Sequence, residues 1–170
     1  MPQLHIALFA FLAATLQTSL FTPFALVGAK PDLLLTLAIF LALYGDEEEW
    51  PLRFWLLGLF KDILSVGPLG LHAFTFAIAA IAAGKLRREI FRDHPINRAL
   101  VVFFAALLAN GTAAILQAVL LNSFRPGMLL TILFAEATYT AALAPVMMSV
   151  LMRFRLLLGI RRTPDISRAL

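Results

Sequence analysis

The residues able to do chemistry fall in two places. The first is Lys61-Asp62-Ile63-Leu64-Ser65, followed by Gly67-Pro68-Leu69-Gly70 and His72. This cluster can form an outward-facing recognition site, or a helical hairpin whose polar groups satisfy one another. In the hairpin, Lys61 snorkels outward, and Asp62 pairs with Lys61 or caps exposed amides. The second place is Glu136, with Tyr139 and Thr140 on the same helical face at i+3 and i+4. Glu136 lies about nine residues into an apolar run, roughly 14 Å along a helix. A carboxylate at that depth costs several kcal/mol unless it is paired, hydrated or protonated. It is either a ligand contact, proton site or polar anchor for a partner helix, or a protonated acid bonded inside the bundle.

Enzyme chemistry finds little support. His5, His72 and His94 are widely separated, and there is no HExxH, phosphate-cradling glycine loop or nucleophile elbow. Ser65 and His72 are split by a Pro-Gly break, which makes a poor dyad. The absence of cysteine excludes disulfide scaffolds and thiolate chemistry. No catalytic residue, metal site or cofactor is expected.

Hydrophobic residues make up 61% of the 170, against 14% charged. A soluble fold of this size lacks the interior to hide so much apolar surface. The sequence predicts an all-α integral membrane protein of about six transmembrane helices in one compact bundle. The expected spans are about 5–27, 32–45, 50–64, 70–84, 99–122 and 128–152, with a basic tail over 153–170. The first reads as a permanent helix, since it lacks the basic start of a signal peptide. Pro31-Asp32 restarts a helix after it, because proline suits a first turn and aspartate suits the dipole there. The acidic turn Asp46 to Glu49, the break at Val66 to Gly70 and the stop at Gly84-Lys85-Leu86-Arg87-Arg88 punctuate the short second, third and fourth spans. Merging or tilting of those three leaves five spans as the alternative.

Charge favours six. With both ends cytoplasmic, the inside holds eleven basic residues (Arg53, Lys85, Arg87, Arg88, Arg92, Arg98 and five tail arginines). The outside holds three, namely Lys30, Lys61 and Arg125. That asymmetry is an orientation signal, and it explains the net charge of +4 without nucleic acid. The basic linker from Lys85 to Arg98 suits anionic headgroups, or else a cytoplasmic partner. On the fifth span Ala105, Ala109 and Ala113 form a small-residue stripe, with Asn110 beside it and Gln117 able to bond across helices. The stripe serves packing within the bundle or the docking of a foreign helix.

The order of these features resembles a known family. A Pro-Asp-Leu-Leu-Leu restart (Pro31 to Leu35) precedes a glycine-containing helix ending in Asp-Ile-Leu-Ser. A Pro-Leu-Gly turn (Pro68 to Gly70) and a small-residue helix stopped by a Lys/Arg cluster follow. In this order and length the chain resembles the rod shape-determining protein MreD family, over about residues 15 to 150. The most specific stretch is Gly58 to Gly70. Lys61 departs from the apolar residue usual before the aspartate, and gives Asp62 a partner.

The resemblance implies a non-enzymatic component of the bacterial elongation machinery in the cytoplasmic membrane. Members associate with MreC, a bitopic protein. Through it they connect the actin-like MreB to peptidoglycan synthesis by RodA and a class B penicillin-binding protein. The resemblance also implies a fold similar to the substrate-binding subunits of energy-coupling-factor vitamin transporters. Two functions follow as expectations. One is a scaffold that grips the MreC transmembrane helix, with a groove beside the fifth span as its seat. The other is a small-molecule-binding transporter subunit with its ligand near Glu136 and the outer loop. The spans carry few polar residues, which disfavours a hydrophilic vitamin.

Overall fold

The computed structural model describes residues 2–19, 29–45, 50–65, 68–86, 95–121 and 126–160. It is all-helical, with six helices among those residues: α1 (Pro2–Ser19), α2 (Leu33–Tyr44), α3 (Trp50–Leu64), α4 (Leu71–Leu86), α5 (Pro95–Leu121) and α6 (Pro126–Arg153). Proline opens α1, α5 and α6 and stands second in α3. A first-turn proline loses no helical hydrogen bond, and its fixed φ suits the start. The acidic turn Asp46 to Glu49, residues 66–67 with Gly67, the linker cations Arg87, Arg88 and Arg92, Arg125 and the tail from Arg161 lie outside the described residues.

α2 is the axis of the bundle. Its sequence LLLTLAIFLALY is apolar on every side, and every residue from Leu33 to Leu43 is buried. A helix without a polar face must be surrounded. α2 packs against all five other helices, while α3 on α4, α4 on α5 and α5 on α6 close a chain of neighbours around it. Phe40, Phe54, Phe76, Val102 and Met148 bring side chains from five helices into the core. α1 is held differently. It rests on α2, and Phe9 reaches Phe154 after α6, with ring centroids 5.6 Å apart.

Two sequence expectations change here. α4 runs to Leu86, two residues past the expected span yet inside the expected Gly84–Arg88 stop. Gly84 is buried within the helix, where a glycine costs roughly 1 kcal/mol against alanine. α5 begins at Pro95, four positions before the expected span, and so includes Asn97 and Arg98.

The tightest helix crossing lies between α3 and α4. A Cβ added at Gly58 would stand 2.4 Å from both the Ala73 Cα and the His72 carbonyl oxygen. Both are backbone atoms that cannot swing aside. Gly58→Ala should therefore destabilise the protein by about 2–3 kcal/mol, the upper range for overpacking. Thermal unfolding in detergent checks this; an unchanged midpoint would show that α3 and α4 do not approach so closely.

Candidate functional site

Two polar clamps sit at the end of the bundle where α2 and α4 begin. The first is built on Asp62, one helical turn after Gly58 on the same face of α3. Its side chain reaches across the 66–70 break to the start of α4. Oδ2 accepts from the Gly70 amide at 2.9 Å and the Ala73 amide at 3.1 Å. Oδ1 accepts from the His72 amide at 2.9 Å and lies 2.8 Å from His72 Nδ1. One carboxylate thus satisfies amides that α4 cannot pair within itself, and favours the positive end of its dipole. Gly70 makes the approach possible with φ of +94°, a left-handed turn that a side chain would strain.

The second clamp is built on Asp32, which is fully buried. As N-cap of α2 its carboxylate accepts from the Leu35 amide at 3.0 Å. Its other oxygen forms an ion pair with Lys61 Nζ. The Asp32 amide donates to Thr140 Oγ1 on α6 at 2.9 Å, and the Leu33 amide donates to Gln17 Oε1 on α1 at 3.2 Å. Lys61 also stands 5.1 Å from the Phe76 ring centroid on α4, within cation–π reach. One cluster of side chains therefore links α1, α2, α3, α4 and α6.

This pairing corrects the sequence reading of Lys61. The lysine does not snorkel outward and does not partner Asp62. Its side chain is only 13% exposed and is turned to Asp32, while Asp62 takes its donors from the start of α4. Adjacent residues on a helix point about 100° apart, so Lys61 and Asp62 serve different neighbours.

The remaining candidates fall around these clamps. Ser65 donates to the Asp62 carbonyl at 3.3 Å, and the Pro68 carbonyl accepts from the Leu71 amide at 3.4 Å. The His72 ring faces Asp62, which leaves no Ser65–His72 dyad. Thr140 is buried in the second clamp and donates to the Glu136 carbonyl at 2.7 Å. Glu136, one turn away, is half-buried and within electrostatic reach of Lys61 and Asp32. Tyr139 is half-buried on the same helix. Ala105, Ala109 and Ala113 are all buried. Asn110 is half-buried, with its amide nitrogen Nδ2 enclosed and without a hydrogen-bond partner, and Gln117 is exposed. The roles of Asp32 as ion-pair partner and of Gln17 as a cap were not anticipated. The available signal for the pair was a charged residue at the edge of each of two short apolar runs, Asp32 and Lys61; nothing in the sequence singled out Gln17.

Both carboxylates in the clamps are consumed by donors, so the arrangement does structural chemistry: it fixes how helices begin and cross. Outside it the bundle is greasy. Leu8 and Phe11 on α1, Trp55 and Leu56 on α3, Phe104 and Val119 on α5 are all exposed. α5 and α6 contain stretches, Pro95–Leu120 and Leu130–Arg153, long and apolar enough to cross a membrane.

The class that fold and site define is an all-helical bundle with apolar outer faces and internal polar clamps. Residues 1–158 match the family model described as rod shape-determining protein MreD. The chain belongs to that family, a membrane family involved in determining rod shape. Compared with the curated proteins and with the solved structures, the chain shows no match.

Proposed function

We propose that this protein is a multi-pass scaffold of the bacterial elongation machinery that holds the transmembrane helix of MreC and so helps couple MreB to peptidoglycan synthesis. The family match over residues 1–158 carries the proposal. The apolar exterior supports a bilayer setting, since patches of this extent do not stay in water. The basic asymmetry supports cytoplasmic termini. Lys61 counts for less in an outer loop once it is paired with Asp32, which sharpens that asymmetry. α2 is about 18 Å long at 1.5 Å per residue, short of the roughly 30 Å core. With its C-terminal end at the cytoplasmic face, Asp32 lies within the membrane, where an unpaired charge is costly. That depth gives the Asp32–Lys61 pair its purpose.

The seat for the partner helix is the groove between α1 and α3. It has a volume of about 450 Å³, and Ile6, Ala7 and Phe11 face Leu52, Leu56 and Phe60 across it. α1 leans on α2 rather than on α3, which leaves this groove open to a further helix. The α5 stripe suits internal packing better, because Ala109 is only 1% exposed. Ala109→Leu should lower the unfolding midpoint before it affects any partner. Ala7 is exposed on the groove wall, so Ala7→Trp fills the groove without entering the core. It should cut co-purification of MreC at least about tenfold, the scale of a lost central contact, with little change in thermal unfolding. Wild-type capture by Ala7→Trp would remove this groove from the interface.

A further inference from the structure

We propose that the α3–α4 hairpin ends inside the outer leaflet of the bilayer, with its apolar tip against acyl chains, so that the membrane is thinned on this side of the protein. The partner of this surface is lipid. This rests only on the bilayer setting and cytoplasmic termini of the proposed function, and not on MreC.

The helices share a floor but not a height. Arg53, Lys85, Arg98 and Arg153 stand within a turn of one end of α3, α4, α5 and α6, and these ends are the ones set at the cytoplasmic face. From that floor α3 and α4, with 15 and 16 residues, rise about 22 and 24 Å, while α5 and α6, with 27 and 28, rise about 40 and 42 Å. Contacts between helices fix the levels independently. The Asp32 amide donates to Thr140 near the middle of α6, and Lys61 near the end of α3 pairs with Asp32. The tip of the hairpin therefore stands beside mid-α6, with about 20 Å of that helix beyond it. Over this further stretch α5 and α6 still expose Ile115, Val119, Leu130 and Phe134. Their apolar faces match a full hydrocarbon core of roughly 30 Å, and the hairpin stops about 10 Å short of it.

The tip is built for that depth. Among the described residues from 61 to 72, the exposed ones are Ile63, Leu64 and Leu69, all apolar. The charges beside them turn inward, Lys61 to Asp32 and Asp62 to the amides of Gly70, His72 and Ala73. A lysine within reach of outer headgroups gains by snorkelling to them, and this one does not. Backbone that leaves the helix at membrane depth must find its partners in the protein, which is what Asp62 supplies. Lipid meets a short apolar span by thinning, at a modest cost per ångström of mismatch.

The chain has no cysteine, so single spin labels test the depth directly. Leu69→Cys, and Ile63→Cys as a second site, are exposed positions whose labelling leaves the clamps intact. Phe104→Cys, exposed on α5 between the floor and the middle of the bilayer, is the control. The full chain is reconstituted in phosphatidylethanolamine and phosphatidylglycerol vesicles. Collisions of each nitroxide with oxygen and with a water-soluble nickel chelate are then measured. Both hairpin labels should meet oxygen and exclude nickel, at a depth of about 10 Å below the outer headgroups. Nickel access at the hairpin with Phe104→Cys still deep would overturn the proposal alone. Exclusion of both reagents at the hairpin would also overturn it, because protein and not lipid would then cover the tip. Nickel access at all three positions would refute the bilayer setting itself.

Discussion

Lys61→Met should destabilise the protein by about 3–5 kcal/mol, because it leaves the Asp32 carboxylate buried without its cation. Asp32 has no exposure through which water could replace the lysine. Its remaining side-chain donor is the Leu35 amide. Methionine keeps most of the length and apolar bulk of the lysine stem, so the loss reports charge rather than a cavity. The double replacement Asp32→Asn with Lys61→Met separates the two explanations further. Asparagine retains an oxygen to cap Leu35, and no charge is left to neutralise. The double variant should recover most of the lost stability, since replacing a whole buried pair is often close to neutral. Thermal or denaturant unfolding in detergent reads both. A double variant as unstable as the single one would mean that the ion pair is not what the lysine contributes.

Asp62→Ala is the second large effect. It removes the acceptor for three amides of one helix start and faces the His72 ring with nothing. Bonds to a charged acceptor are worth about 1.5–3 kcal/mol each, but released amides at a helix end can regain water. A net loss of about 3 kcal/mol or more is expected. Asp62→Asn retains one acceptor oxygen and should lose about half as much. Hydrogen exchange gives the specific signature: the amides of Gly70, His72 and Ala73 should lose protection while those within α5 keep theirs. Unchanged exchange at these three amides would show that Asp62 does not cap α4.

Much of the architecture was legible in the sequence because apolar runs and proline restarts are local signals. Six helices and a helix restart at Pro31-Asp32 could be read that way, although Asp32 is the N-cap and Pro31 precedes it instead of standing in the first turn; capping of exposed amides was one of the two roles open to Asp62. The burial of α2 on every side follows from its composition. The partner of Lys61 did not follow. Asp32 lies 29 residues away on another helix, and only the packing of α3 beside α2 brings the charges together. Proximity in sequence pointed to Asp62, and helix geometry overrode it. Nor could spacing say whether the α5 alanines face inward, because small residues four apart look alike at an internal crossing and at a docking surface. The need for Gly58 likewise comes from another helix, whose backbone passes where its side chain would be.

On the proposed scaffold role the clamps acquire a functional sense. A scaffold that holds one helix and positions enzymes beside it must keep its own helices in fixed relation. Here two short helices start inside the bundle, and their exposed amides are the weak points. Asp62 and Asp32 close those points from neighbouring helices. α1, packed mainly on α2, is tied to the second clamp through Gln17.

The most direct test of the scaffold reading is gentle detergent extraction of the tagged chain from its own membrane, followed by native mass spectrometry. MreC bound at fixed stoichiometry, with no small hydrophilic ligand, is the expected result. A bound small molecule in place of MreC, together with an energy-coupling membrane subunit or ATPases, would contradict it and make the protein a transporter subunit.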